Sequence, residues 1–243
     1  MKHLVIAFFV VCALALTVGA QKKMKPWTEW NEKDAKKVLD DSAWGQTQTE
    51  TNTSEMFFSP NNPNGVGDSS SRSTQGSFNR AVGINFRIRF LTAKPIRQAF
   101  KVAIEAAQKT PNKQLSDSLQ SFVDRKFDEW IVVAVTYDSE DGRLSGPANQ
   151  VFNGATTAEL KLTTYLEVKG GKRLFLEKYD IPNKNDGMGA KFYFKRMVEG
   201  KPFITPESGE VRFYSEMLQS QNKVKLNMRF KVTDMMYDGQ LEY

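Results

Sequence analysis

Histidine and cysteine are almost absent from this sequence of 243 residues, which contains one of each. They are His3 and Cys12, and both lie within the first 20 residues. Once that segment is removed, no imidazole and no thiol remains. Ser-His-Asp and Cys-His catalytic arrangements are then excluded, as are zinc, haem, blue-copper and iron–sulfur sites built on His or Cys ligands. Disulfides are excluded too, so stability has to come from burial of apolar side chains.

The first 20 residues have the pattern of a secretory signal peptide. A basic start is followed by an apolar run from Leu4 to Leu16, and small residues then occupy the positions that signal peptidases require. The apolar run is short for the ~20 residues of a membrane-spanning helix, although an uncleaved anchor is the alternative. We predict cleavage between Ala20 and Gln21 and export of a bacterial protein to the periplasm or the extracellular space. No later stretch is apolar enough to span a membrane.

Phosphate-binding glycine motifs are missing as well, since neither Gly-x-Gly-x-x-Gly nor a P-loop pattern occurs. We predict no cofactor and no metal. Carboxylate chemistry stays open, because a glycosidase site is defined by the spatial separation of two carboxyl groups. The candidate acidic residues in or near predicted strands include Glu159, Glu167, Glu177, Glu210 and Glu216. Their neighbours single out none of them, so we assign no catalytic residue.

Hydrophobic residues make up 40% of the chain, enough for a globular core. We predict a single α+β domain over 21–243, with a mainly antiparallel β-sheet and a pair of helices packed on one side. A Ser-, Asn- and Pro-rich stretch over 59–79 is predicted to be a flexible loop.

Helical spacing of apolar residues predicts a short helix over 31–41, capped by Asn31, and a helix pair that begins at Pro95 and continues to Phe127. A further short helix is predicted over 147–152. Three tryptophans flank the first helix, namely Trp27, Trp30 and Trp44. We interpret them as a clamp between helix and sheet, and an aromatic platform for sugars is the alternative.

Alternation of apolar and polar residues predicts the strands, and a continuous apolar run predicts a central one. A polar edge strand over 46–53 is expected to pair with the strand over 81–91 across the long loop. The predicted strands are 46–53, 81–91, 130–137, 158–168, 190–198, 210–217, 223–232 and 240–243. The Gly170-Gly171 pair predicts a hairpin turn after the fourth of them.

Basic residues on alternate strand positions are the one positive functional signal. Lys223, Lys225, Arg229 and Lys231 share one side of a strand. If the strands are neighbours, four further cations join them, namely Arg87, Arg89, Lys191 and Lys195. An anionic envelope component, such as a phosphorylated glycolipid or acidic polysaccharide, is the expected partner, since export argues against nucleic acid. A solvated sheet face whose lysines discourage aggregation is the alternative.

The opening of the predicted mature chain, Trp27-Thr28-Glu29-Trp30 followed by 40–48, resembles that of uncharacterised exported bacterial proteins. The helix start over 94–99 is similar to theirs. This resemblance covers about half of the chain. It implies export and a shared fold, and it carries no activity and no catalytic residue.

These observations favour a non-catalytic binding or structural protein of the envelope or the extracellular space. A carboxylate-dependent polysaccharide hydrolase is a second hypothesis, which requires two carboxyl groups about 5–10 Å apart in a cleft. An accessory subunit of an envelope assembly is the third, and it requires a large exposed apolar patch.

Overall fold

The structure is a computed structural model that describes residues 25–51 and 83–243. The predicted cleavage site at Ala20 and Gln21 and the predicted loop over 59–79 therefore lie outside the described residues. Within the described ranges the chain forms five α-helices and mainly antiparallel sheets, which confirms the predicted α+β class. None of the helices in these ranges is both long and apolar enough to cross a membrane.

The helices are α1 (Glu32–Asp40), α2 (Lys94–Ala106), α3 (Lys113–Asp124), α4 (Gly142–Gly154) and α5 (Thr157–Leu160). The strands are β1 (Gly45–Glu50), β2 (Ile84–Phe90), β3 (Trp130–Ser139), β4 (Thr164–Val168), β5 (Arg173–Phe175), β6 (Lys178–Asp180), β7 (Ala190–Lys195), β8 (Met197–Val198), β9 (Lys201–Pro202), β10 (Glu210–Gln219), β11 (Asn222–Lys231), β12 (Met236–Tyr237) and β13 (Gln240–Leu241).

Two antiparallel sheets form the centre of the fold. The five-stranded sheet has the order β1-β2-β3-β7-β6, and the four-stranded sheet has the order β11-β10-β4-β5. The predicted pairing of β1 with β2 is confirmed, with β1 at the edge and β3 in the centre. The predicted hairpin at Gly170-Gly171 joins β4 to β5. Both glycines have a positive φ, which side chains disfavour.

The two sheets pack face to face through phenylalanine rings. Phe90 of β2 meets Phe230 of β11 with ring centroids 4.9 Å apart, and Phe213 of β10 lies 5.3 Å from Phe192 of β7. All four side chains are fully buried. Because side chains alternate along a strand, burial of these rings turns the intervening polar residues of both sheets outward. The molecule is therefore a sandwich with two outer faces.

Helix α1 covers part of the outer face of the five-stranded sheet at β1 and β2, α2 packs on α1, and α3 packs on α2. The predicted helix pair on one side of a sheet is thus confirmed. Helix α1 begins with a capping box, in which the side chain of Asn31 accepts from Asp34 N at 3.0 Å and Asp34 accepts from Asn31 N. The clamp interpretation of the tryptophans agrees with burial of Trp30 and Trp44. Buried indoles cannot serve as a sugar platform.

Two predicted boundaries are wrong because side-chain caps outweigh the apolar pattern. The strand predicted over 158–168 begins only at Thr164, since Thr156 and Glu159 form a capping box that starts α5. Helix α4 begins at Gly142 rather than at Pro147, because the Asp141 side chain accepts from Arg143 N at 2.9 Å. The second helix of the pair is also shorter than predicted: α3 ends at Asp124, so Phe127 lies beyond it.

Because phenylalanine rings fill the space between the sheets, we expect substitutions at two positions of β10 to differ strongly in their effect on the free energy of unfolding. Phe213→Ala should lower the free energy of unfolding by about 3–5 kcal/mol, because it leaves a cavity between the sheets. Leu218→Ala is the matched control, since this side chain is 64% exposed on the same strand and its loss should cost less than about 0.5 kcal/mol. Urea unfolding followed by tryptophan fluorescence measures both. Equal midpoints for the two variants would contradict the packing described here.

Candidate functional site

The outer face of the four-stranded sheet brings together the four cations of β11 that the sequence singled out. Lys223, Lys225, Arg229 and Lys231 occupy alternate positions on this edge strand. Strand register places Glu216 opposite Lys225 and Arg212 opposite Arg229. We call this surface the basic sheet face; its members are Tyr165, Glu167, Arg173, Phe175, Glu210, Arg212, Tyr214, Glu216, Leu218, Lys223, Lys225, Asn227, Arg229 and Lys231.

Two tyrosines and two arginines form the centre of the basic sheet face. The rings of Tyr165 and Tyr214 are stacked with centroids 5.0 Å apart. The guanidinium of Arg173 lies over the Tyr165 ring at 4.4 Å, and Arg212 Nη2 donates to the Tyr165 hydroxyl at 3.1 Å. Glu167 accepts from Arg173 at 2.6 Å and lies 3.1 Å from Arg212. The hydrogen bond from Arg173 and the charge of Arg212 lower the pKa of Glu167.

A second carboxylate of the face is held by hydrogen bonds in the same way. Glu216 accepts from Lys223 at 2.7 Å and from the Tyr214 hydroxyl at 2.8 Å. These two hydrogen bonds, that of Lys223 first, lower the pKa of Glu216. Glu210 pairs with Arg229 at 3.0 Å. All three carboxylates of the basic sheet face are therefore engaged by its own cations.

The basic sheet face carries more positive than negative charge. It holds six Lys and Arg side chains against three Glu, an excess of three charges in a chain whose net charge is +6. Lys225 and Lys231 are exposed, and neither has a carboxylate within 4 Å among the residues that the structure describes. The positive charge of the two lysines is thus open to an external partner.

The structure does not bring the other four predicted cations to this surface. Arg87 and Arg89 lie on β2, and Lys191 and Lys195 lie on β7. Both strands belong to the five-stranded sheet, where these side chains point away from the buried phenylalanines. The eight residues are therefore divided between the two outer faces of the sandwich.

Each of those four cations has an acidic partner. The ion pairs are Arg87 with Asp40 at 3.2 Å and with Asp138, Arg89 with Asp40 at 2.8 Å, Lys191 with Asp186 at 2.6 Å, and Lys195 with Glu129 at 2.8 Å. Lys195 also lies 4.0 Å above the ring of Trp130. Their charges are locally neutralised, so this second face lacks the excess of the first.

Arg89 in particular is buried, so the prediction that it joins an exposed basic surface is wrong at this position. Only 5% of the surface of Arg89 is exposed, because α1 packs over it. Arg89 Nε donates to Leu39 O at 2.9 Å, and Nη1 donates to Thr136 Oγ1 at 2.9 Å. Burial lowers its pKa, although the hydrogen bond and charge of Asp40 oppose that shift. Arg89 joins helix α1 to the sheet.

Arg212, Tyr214 and Tyr165 are members of the face that the sequence interpretation missed. The sequence does indicate two of these positions, because Arg212 and Tyr214 alternate with the buried Val211 and Phe213 on β10. Only the register with β11 and β4 shows that the three side chains meet.

The acidic residues considered for a hydrolase occupy structural positions. Glu159 caps α5 through Thr156, and Glu177 is exposed. Glu167, Glu210 and Glu216 are ion-paired on the basic sheet face. The lowered pKa of Glu167 and Glu216 is opposite to the shift that a general acid requires.

A comparison of this chain with protein-family models, with curated proteins and with solved structures finds no match.

The structural role of Arg89 gives a second prediction. Arg89→Met should lower the free energy of unfolding by about 3 kcal/mol, because Asp40 loses a buried partner and Leu39 O loses its donor. Arg143→Gln, which removes an exposed arginine, should cost less than about 1 kcal/mol. Urea unfolding at neutral pH measures both values. A stability of Arg89→Met equal to that of the parent would show that Arg89 does not anchor α1.

Proposed function

We propose that the protein is an exported, non-catalytic binding protein whose basic sheet face engages an acidic polysaccharide. The observation that carries the proposal is the charge excess on an exposed sheet face, with Lys225 and Lys231 left without a carboxylate partner among the described residues. The leader pattern of the first 20 residues supports export, and in that compartment polysaccharides and lipids are the abundant anions.

The arrangement of the cations favours a linear polymer. Alternate residues of a strand are about 6.8 Å apart, so Lys223, Lys225, Arg229 and Lys231 form a straight row along β11. A chain with regularly repeated negative charges can contact several members of such a row at once. Tyr214 on β10 lies next to the middle of this row, and Tyr165 stacks on it from β4. Release of counterions from the polymer would contribute to the affinity.

The fixed carboxylates of the face define which cations are available. Glu210 forms an ion pair with Arg229, and Glu216 forms one with Lys223. The positive charge of these two cations is therefore partly neutralised within the face. Lys225 and Lys231 face Glu216 and Glu210 in the strand register but have no carboxylate within 4 Å among the described residues, so their charge is the least compensated. A partner is therefore expected to depend most on these two lysines.

Neutralising the two free lysines tests the proposal. Lys225→Gln with Lys231→Gln should weaken binding to a sulfated or uronic-acid polysaccharide roughly tenfold or more, since each surface cation contributes on the order of 1 kcal/mol. The salt dependence of binding should also become shallower. Affinity is measured by titration of purified protein with the polymer over a range of salt concentrations.

The matched control is Lys36→Gln with Lys184→Gln, which removes the same charge from exposed positions elsewhere. This control should keep the affinity within about twofold, since it leaves the basic sheet face intact. Equal losses in the two double variants would mean that net charge, not the face, determines binding. Binding to anionic vesicles but not to the polymer would replace the polysaccharide by a lipid surface and overturn the proposal.

A further inference from the structure

A cleft of about 410 Å³ opens between the start of α2, the residues after α3 and the C-terminal hairpin of β12 and β13. Its size falls within the range of small-molecule pockets. The side chains that matter for its chemistry are Arg97, Phe127, Arg196 and Tyr243. None of them belongs to the basic sheet face.

Arg97 is the most buried cation of the cleft. Only 5% of the surface of Arg97 is exposed, and its guanidinium lies over the Phe127 ring at 5.0 Å. Nε donates to Val123 O at 3.2 Å, and Nη1 donates to Thr92 O. Among the described residues, no acidic side chain lies within 4 Å of this guanidinium, and Nη2 donates to no protein atom. Arg97 Nη2 is not among the buried polar atoms that lack a partner, so it is open to the cleft, where water or an anion can accept a hydrogen bond from it.

Arg196 approaches the same cleft from the end of β7. Its guanidinium lies over the Tyr243 ring at 4.2 Å, Nε donates to Trp130 O at 3.4 Å, and Nη2 donates to Tyr243 O. The described residues place no Asp or Glu side chain within 4 Å of it. Tyr243 is itself fixed, because its hydroxyl donates to Ile204 O at 2.9 Å. Both guanidinium planes are thus positioned by an aromatic ring and by main-chain oxygens.

The electrostatics show that the two arginines influence each other. Burial lowers the pKa of Arg97 to about 10, Glu242 opposes this shift, and the charges of Arg196 and Arg125 add to it. At neutral pH Arg97 is still protonated. The two positive charges therefore lie near each other in the cleft.

Two of the three acidic residues of the cleft accept hydrogen bonds from protein groups, and the third is exposed. Glu242 accepts from Lys94 N at 2.9 Å, and Asp124 accepts from Gln120 Nε2 at 2.9 Å. The third acidic residue, Asp128, is exposed at the rim. Five basic residues line the same space, namely Lys94, Arg97, Arg125, Lys126 and Arg196.

We propose that this cleft binds a small molecule through an oxyanion group, a phosphate or a carboxylate, which accepts hydrogen bonds from Arg97 and Arg196. Arg97 Nη2 and Arg196 Nη1 make no hydrogen bond to the residues that the structure describes, so each guanidinium keeps one donor nitrogen for an oxygen of such a group. The volume of the cleft leaves room for the body of the ligand beside Phe127 and Leu241. This site goes beyond the proposed polysaccharide function, because it uses other residues and a ligand of another size.

Calorimetric titration of the purified protein with inorganic phosphate, and separately with citrate, tests the proposal. We expect saturable binding of at least one of the two at a single site in the millimolar range or tighter. Arg97→Lys keeps the positive charge but loses the planar guanidinium whose Nε and Nη1 bonds direct Nη2 to the cleft, and it should weaken binding at least tenfold. Arg196→Gln should do the same, and it decides the question if Arg97→Lys fails to fold. Arg143→Gln removes an exposed arginine elsewhere and should leave the affinity unchanged.

The two proposals can fail separately. The variant with Lys225→Gln and Lys231→Gln should bind phosphate or citrate like the parent, while Arg196→Gln should bind the polysaccharide like the parent. Absence of saturable binding of both probes to the parent protein would overturn the cleft proposal. So would equal affinities of the parent and Arg196→Gln.

Discussion

The face-to-face contact of two antiparallel sheets through phenylalanine rings is the constraint on which the rest of the structure depends. The only cysteine of the chain is Cys12, so no disulfide can hold the sheets together, and burial has to do so. Phe90 against Phe230 and Phe192 against Phe213 set the spacing and orientation of the two layers. Once these rings point inward, strand alternation determines which polar side chains form each outer face.

The helices then make the two outer faces different. Helix α1 lies over β2 and converts Arg89 from a surface cation into a buried anchor that bonds Leu39 O and Asp40. The four-stranded sheet turns its charged side outward at Lys225 and Lys231. Residues with the same sequence pattern therefore differ in function according to what packs above them. An arginine covered by a helix stabilises the fold, whereas an exposed lysine is available to a partner.

Much of the fold could be predicted because local patterns and tertiary packing agree. The alternation over 223–232, the continuous apolar run over 130–137 and the Asn31 cap all describe features that depend on neighbouring residues in the sequence. The site could be predicted only in part, since the row on β11 is local, but its neighbours Tyr165 and Arg212 are placed by strand register. The four further cations were expected to join this row only if their strands were its neighbours, and that condition is not met, because β2 and β7 lie in the other sheet.

The cleft could not be predicted from sequence patterns, because its residues are far apart in the chain. Arg97 and Arg196 are 99 positions apart in the chain, and no periodicity relates them to Tyr243. The C-terminal segment brings them together, because Trp44 Nε1 donates to Glu242 O and the Glu242 carboxylate accepts from Lys94 N at the start of α2. A carboxylate at this helix terminus is favourable in itself. These hydrogen bonds of Glu242 fix the C-terminal segment, in which Tyr243 follows directly and lies against the guanidinium of Arg196. The segment therefore forms one wall of the cleft.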